Sequence, residues 1–308
     1  MTAPTLHSLL VAVDMSPLSD RVVRRAASLP IAAGGTTTLL HVVPGRLPSR
    51  ARRQAQADAR TALAAQAARV AKALRRDISI EHRVSVGSPA AEIADRAARL
   101  KADVIVMGRG AGRAVRDSFL GSTAEQVMRQ ARTPVLVVRS PSRSPAPGAY
   151  LRPAVGLDVD DAAEPVLAML FRVLPPPRPR VTIVHAYDAP YLAMAYADLS
   201  ADEIKVEEQR YRQTAVPRIA QAVMRALQAQ DGLANDVRGF NTHVRYGDPR
   251  SVIKAAVARL NTDLLVLGTR AHSGVAHMFL GTVAGDVLRD VRCDVLVVPP
   301  RRPRGRRR

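Results

Sequence analysis

The sequence predicts an α/β protein made of two tandem doubly wound domains, each a five-stranded parallel sheet with helices on both faces. Three observations carry this. Short runs of Val, Leu and Ile alternate with longer amphipathic stretches, the pattern of strands buried on both faces between covering helices. The chain also repeats itself: Gly108 to Val138 reads GRGAGRAVRDSFLGSTAEQVMRQARTPVLVV, and Gly268 to Val298 reads GTRAHSGVAHMFLGTVAGDVLRDVRCDVLVV. A self-similar period this long marks duplicated domains. Finally, 308 residues at 47% hydrophobic composition suffice for two ordinary domains, each burying its own core.

In the first half the predicted strands are Ser8–Val13, Thr37–Val43, Ile78–Val86, Val104–Met107 and Val135–Arg139, with helices starting near Ser16, Ser49, Ser88 and Ser122. Ser16-Pro17 and Ser88-Pro89 place a capping hydroxyl before a proline at the first helical position, and Ser122-Thr-Ala-Glu125 has the spacing of a capping box. The second half repeats the order. Asp14 matches Asp158 and His41 matches His185 at an offset of 144, whereas Gly87, Gly108, Gly121 and Val135 match Gly247, Gly268, Gly281 and Val295 at an offset of 160. The 16 extra residues fall around 189–230, where Tyr191-Leu-Ala-Met-Ala-Tyr196 precedes a helical stretch with a capping pattern at Ser200-Ala-Asp-Glu203. A longer helix packed on its own or its sister domain is the simpler reading; a cover over a pocket or partner surface is the other. The boundaries read as a first domain over 1–140, a Ser/Pro-rich linker over 141–152, a second domain over 153–299 and a basic tail over 300–308.

Cys293 is the only cysteine, so no intrachain disulfide forms, and its place before the apolar run Val295 to Val298 predicts a buried thiol. The formal net charge is +19, and six arginines crowd the last eight residues, a tail expected to contact polyanions nonspecifically. No apolar run approaches the roughly 18 residues that span a bilayer, and the start lacks a signal-peptide pattern. The expectation is a cytoplasmic protein with no membrane partner.

An open doubly wound sheet holds its ligand crevice outside the carboxyl ends of the strands, where the winding reverses. Val13-Asp14 and the loop from Gly108 would reach that crevice, and Gly121-Ser122 turns into a helix, where unpaired N–H groups attract anions. The ordered series VAVDMS, LLHVV, VSVGSP, VIVMGRGAG, FLGSTAEQV and TPVLVV resembles a universal stress protein domain. A second series, GLDVDD, IVHAY, VRYGDP, LLVLGTR, FLGTVAGDV and CDVLVV, resembles another. Together they resemble the tandem two-domain members of that family, including the bacterial E-type. The resemblance implies an adenine-nucleotide alpha-hydrolase-like, Rossmann-like fold and pairing through the last strands, between domains or in a homodimer. In one branch it implies bound ATP (or AMP/ADP).

That ATP-binding branch carries Gly-x2-Gly-x9-Gly-[Ser/Thr]. Gly108, Gly121 and Ser122 fit it in the first copy and Gly268, Gly281 and Thr282 in the second, but Ala111 and Ala271 replace the middle glycine. A methyl group there opposes positive φ and close approach to a phosphate; Gly110 and Gly112 flank Ala111, whereas only Gly274 lies near Ala271. By the resemblance, Asp14 accepts a hydrogen bond from adenine or ribose, and Val13 and Val42 are apolar walls. Gly108, Gly110 and Gly121 let backbone approach the phosphates, Ser122 and Thr123 donate, and Arg109, Arg113 and Arg116 supply charge. Asp158, Gly268, Arg270, Gly281 and Thr282 form the weaker second site. Against this, Asp14 has a sufficient role in capping the helix after strand one, and Ser122 in its capping box.

Catalytic signatures are absent: there is no GxxxxGK[ST] loop, no GxSxG elbow and no carboxylate pair with acid/base spacing. No metal-ligand set is evident either, since His272 and His277 lack partners and His41 and His185 read as structural. The aromatic content of 3% supplies no stacking platform for single-stranded nucleic acid. The functional expectation is a stress-response binding and regulatory module sensing adenine nucleotide in its first domain. A nucleotide-independent scaffold is its rival, and slow ATP hydrolysis trails both.

Overall fold

The computed structural model describes residues 6–16, 18–73, 77–110, 120–139, 148–158, 163–187, 200–228, 239–269 and 282–300. The first half runs β1 (Leu6–Ala12), α1 (Ser19–Ala27), β2 (Ile31–Pro44), α2 (Ser49–Ala73), β3 (Ser79–Gly87), α3 (Pro89–Arg99), β4 (Val104–Gly108), α4 (Ser122–Gln130) and β5 (Val135–Val138). The second runs β6 (Pro153–Gly156), α5 (Ala163–Val173), β7 (Val181–Tyr187), α6 (Ala201–Gln228), β8 (Phe240–Tyr246), α7 (Pro249–Arg259), β9 (Leu264–Gly268), α8 (Thr282–Asp290) and β10 (Asp294–Val298). Strand order is β3-β2-β1-β4-β5-β10-β9-β6-β7-β8 in one ten-stranded sheet. Neighbours are parallel within each half. Between the halves β5 and β10 run antiparallel, with Val295 opposite Val137, Leu296 opposite Leu136 and Val297 opposite Val135.

Side chains alternate across this sheet because a strand's period is two. Leu9, Val11, Leu136, Val138, Leu296 and Val298 pack with α1, α2, α5 and α6 on one face. Leu10, Ile105, Val135, Val137, Val295 and Val297 pack with α3, α4, α7 and α8 on the other. Each hydrophobic layer therefore runs through both halves, rather than each half enclosing a core of its own. The edge of β5 would otherwise expose an unpaired valine-rich ladder.

The helix starts differ from the sequence expectation at three points, the first being Ser88, which is the N-cap of α3 but whose hydroxyl makes no capping hydrogen bond. α1 begins at Ser19, with Leu18 rather than Ser16 as its N-cap, because Asp14 organises the turn before it. α4 takes Gly121 as N-cap, so Ser122 is one residue too late to close a capping box with Glu125, whose carboxylate pairs with Arg129 at 2.9 Å instead. The box at Ser200 does form: Ser200 N–H and Oγ–H donate to Glu203 Oε2 at 2.8 and 2.6 Å. At 28 residues, α6 exceeds its counterpart α2, at 25, by little. Most of the added length in the second half thus lies in the segments flanking that helix, and Tyr191 to Tyr196 lie outside the described residues.

Candidate functional site

The winding reverses between β1 and β4, which pair with Ala12 opposite Met107. Their carboxyl ends bring Asp14 beside Gly108, Arg109 and Gly110. Asp14 Oδ1 accepts the Ser16 N–H and the Ser19 hydroxyl, both at 3.0 Å, across a turn in which Met15 takes φ 58°. Partial burial opposes the charge of Asp14, but these hydrogen bonds outweigh it and hold the carboxyl below the ordinary carboxylate range. Asp14 is ionised and pre-oriented at the crevice.

The glycines close the base of the loop after β4. A Cβ on Gly108 would lie 3.0 Å from Leu18 Cδ2 and 3.4 Å from Val22 Cγ2, so glycine there lets α1 approach the sheet. Gly110 takes φ +102°, and its missing side chain lets it meet Gly121, whose own Cβ would lie 2.7 Å from the Arg109 carbonyl. The Gly121 N–H donates to that carbonyl at 2.8 Å. Ser122 is exposed and Thr123 half-buried. No side chain caps α4, which leaves its first-turn N–H groups for an external acceptor.

Three expected site residues are placed otherwise. Val13 and Val42 are both buried, but they belong to the layers on opposite faces of the sheet and do not face each other across the crevice. Arg109 is 6% exposed, and its Nη2–H donates to the Arg289 carbonyl at the end of α8, where a helix dipole favours a cation. Its charge serves the contact between the halves. Ala111, Gly112, Arg113 and Arg116 lie outside the described residues.

In the second half Asp158 is exposed at the end of β6, beside β9. Gly268 repeats the packing of Gly108, with Val166 Cγ2 3.2 Å from a built Cβ. Arg270, Gly281, His272 and His277 lie outside the described residues, as does the side chain of Thr282. The two crevices differ in their aromatic content. His41 and His185 each direct Nδ1 at a carbonyl, of Val13 at 2.8 Å and of Leu157 at 2.9 Å, so that nitrogen carries the proton. In His185 Nε2 is then free to accept from the Tyr211 hydroxyl, at 3.0 Å. Tyr211 stacks on Tyr187 with ring centroids 3.7 Å apart, and Tyr246 meets Tyr187 edge-on at 5.7 Å. Burial first, and the Asp158 carboxylate second, push the Tyr211 phenol up.

The buried positions of α2, Ala59, Leu63, Gln66, Ala67 and Val70, recur in α6 as Ala215, Ile219, Ala222, Val223 and Ala226. In that alignment Tyr211 corresponds to Ala55, and Val43 takes the place of Tyr187. The first half thus lacks the stacked tyrosines of the second. Sequence reasoning did not single out Tyr187 or Tyr211; the only sign was a tyrosine two residues after His185 where the first half has valine.

A groove of about 340 Å³ between α7 and α8 is lined by Asp248, Arg250, Lys254, Asp286, Arg289 and Asp290. Arg250 pairs with Asp286 and Lys254 with Asp290, each at 2.8 Å, so the groove is neutralised by its own residues. Among the described residues no group of three His, Cys, Asp or Glu is arranged to hold a metal, and no helix is long and apolar enough to cross a membrane.

Fold and crevice together define the class as a tandem doubly wound α/β protein with the switch point of each half at a glycine-bounded edge. The family model for universal stress proteins matches residues 5–139 and again 150–299, and the chain belongs to that family. Universal stress protein E of Escherichia coli (strain K12) is 36% identical over 77 residues, which are 25% of this chain and 23% of that protein. A universal stress protein of Synechocystis sp. is 31% identical over 102 residues, 33% of this chain and 62% of the relative. The chain therefore matches less than two thirds of the length of either. The crystal structure of a universal stress protein from Archaeoglobus fulgidus DSM 4304 superposes with a TM-score of 0.66 at 19% identity, covering 95% of this chain and 98% of that one. That likeness establishes the shared fold.

Proposed function

We propose that the chain is a stress-response binding module whose first half takes an adenine nucleotide at the carboxyl ends of β1 and β4, and whose second half does not. The observation that carries this reading is the uncapped first turn of α4, which opens beside the Gly110–Gly121 contact on the same sheet edge as the ionised Asp14. The helix end supplies donors for phosphate, and Asp14 supplies an acceptor for a ribose hydroxyl or the adenine amino group. The choice of adenine rests on the resemblance to the ATP-binding branch, from which both copies depart at Ala111 and Ala271. The second half offers less, because Tyr187 at the end of β7 and Tyr211 of α6 stack there where the first half has Val43 and Ala55.

Mass spectrometry of nucleotide released from the purified protein, with calorimetric titration of ATP into wild type and Asp14→Ala, tests the proposal. Binding by wild type that Asp14→Ala weakens is expected. No retained nucleotide and no heat up to millimolar ATP would sink it and leave the second reading, a nucleotide-independent scaffold. That reading draws on the packing duties of Gly108 and Gly121 and on the two hydrogen bonds that already engage Asp14.

A further inference from the structure

The repeat provides an internal control for surface charge. α2 carries Arg50, Arg52, Arg53, Arg60, Arg69 and Lys72 against one acid, Asp58, and has no acid in its first turn. Its counterpart α6 opens on Asp202 and Glu203 and balances its bases, pairing Lys205 with Asp202 and Arg210 with Glu207. The fold therefore accepts a balanced helix at this position. Arginine at a helix N-terminus opposes the macrodipole, so the basic start of α2 works against the stability of the helix itself.

Those bases are not spread evenly. At 100° per residue Arg50, Arg53 and Arg60 spread over about 80° along one flank of the helix, with Arg60 next to the buried Ala67 and Arg50 farthest from the buried side, and all three are exposed, as is Arg46 just before the helix. Among the described residues no carboxylate pairs with any of the four, and Asp58 is itself held by Gln54 at 2.8 Å. Every apolar side chain exposed on α2 is alanine, so the face has nothing to insert into a bilayer. It has no aromatic ring on which unpaired bases could stack. What remains is a flank of arginines over about 15 Å of helix axis, a length along which duplex DNA presents about nine phosphate charges.

We propose that the solvent face of α2, with Arg50, Arg53 and Arg60 along it and Arg46 at its foot, docks on the phosphate backbone of duplex DNA. The contact is sequence-independent, since the flank carries no shape that would fix base readout.

The test is fluorescence anisotropy of a short labelled DNA duplex titrated with full-length protein over a range of salt. Three variants are compared with wild type: Arg50→Gln with Arg53→Gln and Arg60→Gln; the equal-charge control Arg212→Gln with Arg218→Gln and Arg225→Gln on α6; and a chain lacking residues 301–308. The α2 triple variant should lose at least about tenfold in affinity at low salt, and its slope of log affinity against log salt should fall by about two to three. The α6 control should keep the wild-type slope. An unchanged slope in the α2 variant, an equal loss in the α6 control, or complete loss on removing the tail alone would overturn the proposal. So would phosphatidylserine vesicles that compete for the α2 arginines when duplex DNA does not. Circular dichroism at matched concentration verifies that the variants keep their helices.

Discussion

Arg25 and Asp294, 269 positions apart, form a buried ion pair across the two halves: Arg25 Nε–H donates to Asp294 Oδ2 at 2.8 Å, with both side chains at most 2% exposed. Each charge is further satisfied. Arg25 donates to the Gly148 carbonyl at 2.6 Å and lies 4.1 Å above the Tyr150 ring. Asp294 accepts the Tyr150 hydroxyl and the Arg139 N–H, both at 3.0 Å. The pair has no symmetry mate, since Met169 and Pro134 stand at the equivalent positions of the repeat. It joins α1 to β10 specifically, at the seam where β5 meets β10.

Removing one member should cost more than removing both. Asp294→Ala strands a buried guanidinium and should destabilise the chain by about 3–5 kcal/mol. Arg25→Met combined with Asp294→Leu, which leaves no unpaired charge, should recover much of that. Urea unfolding of the single and double variants measures the difference, and equal losses would show that the seam does not depend on the pairing.

Asp103 gives the seam a pH dependence. Its carboxylate accepts the His7 and Ser8 N–H groups at 2.6 and 3.0 Å and pairs with Arg172 of the other half at 2.6 Å. Burial opposes its charge, but these donors prevail and hold it below the ordinary range. A folded-state pKa below the unfolded one means that the stabilisation is complete above the unfolded value of about 3.9 and is lost as pH falls through the folded value. Asp103→Asn should lower stability at neutral pH and flatten the acid limb of a stability–pH curve. An acid limb unchanged by the substitution would remove Asp103 from this role.

The strands and the repeat were legible in the sequence because they rest on local patterns: runs of Val and Leu and glycines at fixed offsets. Asp103 illustrates the limit. Its match at Asp263, which accepts the Leu151 and Arg152 N–H groups at 2.7 and 3.0 Å, could be read from the offset, but the partner Arg172 could not. Arg109 was expected to supply charge to bound phosphate, whereas tertiary packing turns it toward α8. Val13 and Val42 looked like paired walls because sequence order does not show which face of a sheet a residue takes beyond its own strand. The Ser122 box failed by a single residue, which the geometry of the Gly121 turn decides.

The glycines around the first crevice should rank by what a methyl group would strike. At Gly121 it meets a backbone carbonyl at 2.7 Å, whereas at Gly108 it meets the ends of the Leu18 and Val22 side chains. Gly121→Ala should therefore destabilise by about 1–3 kcal/mol and Gly108→Ala by less. Urea midpoints of the two variants set the order, and the reverse ranking would contradict the proposed closure of the loop base.

Cys293 is 1% exposed just before β10, and burial, reinforced by the neighbouring Asp294 charge, pushes its thiol up to about 12. Because the thiolate is the reactive form, a disulfide reagent at pH 8 should leave the native chain unmodified. Labelling in rising urea should follow unfolding of the seam. Prompt stoichiometric modification without denaturant would show that the β5–β10 region opens readily.

The tyrosine stack makes the two crevices unequal, and that inequality can be counted. If Tyr211 and Tyr187 occupy the second crevice while Ala55 and Val43 leave the first open, ATP should titrate to one site per chain. Asp14→Ala should weaken that binding, and Asp158→Ala should leave it intact. Tyr211→Phe, which removes only the hydrogen bond to His185, should cost about 1 kcal/mol of stability, and Tyr211→Ala more, through loss of the 3.7 Å stack. Neither should weaken ATP binding, because α6 lies in the half that the proposal leaves without nucleotide. Two sites in wild type, or equal sensitivity to Asp14→Ala and Asp158→Ala, would mean that the stack yields to ligand and that the halves are equivalent after all.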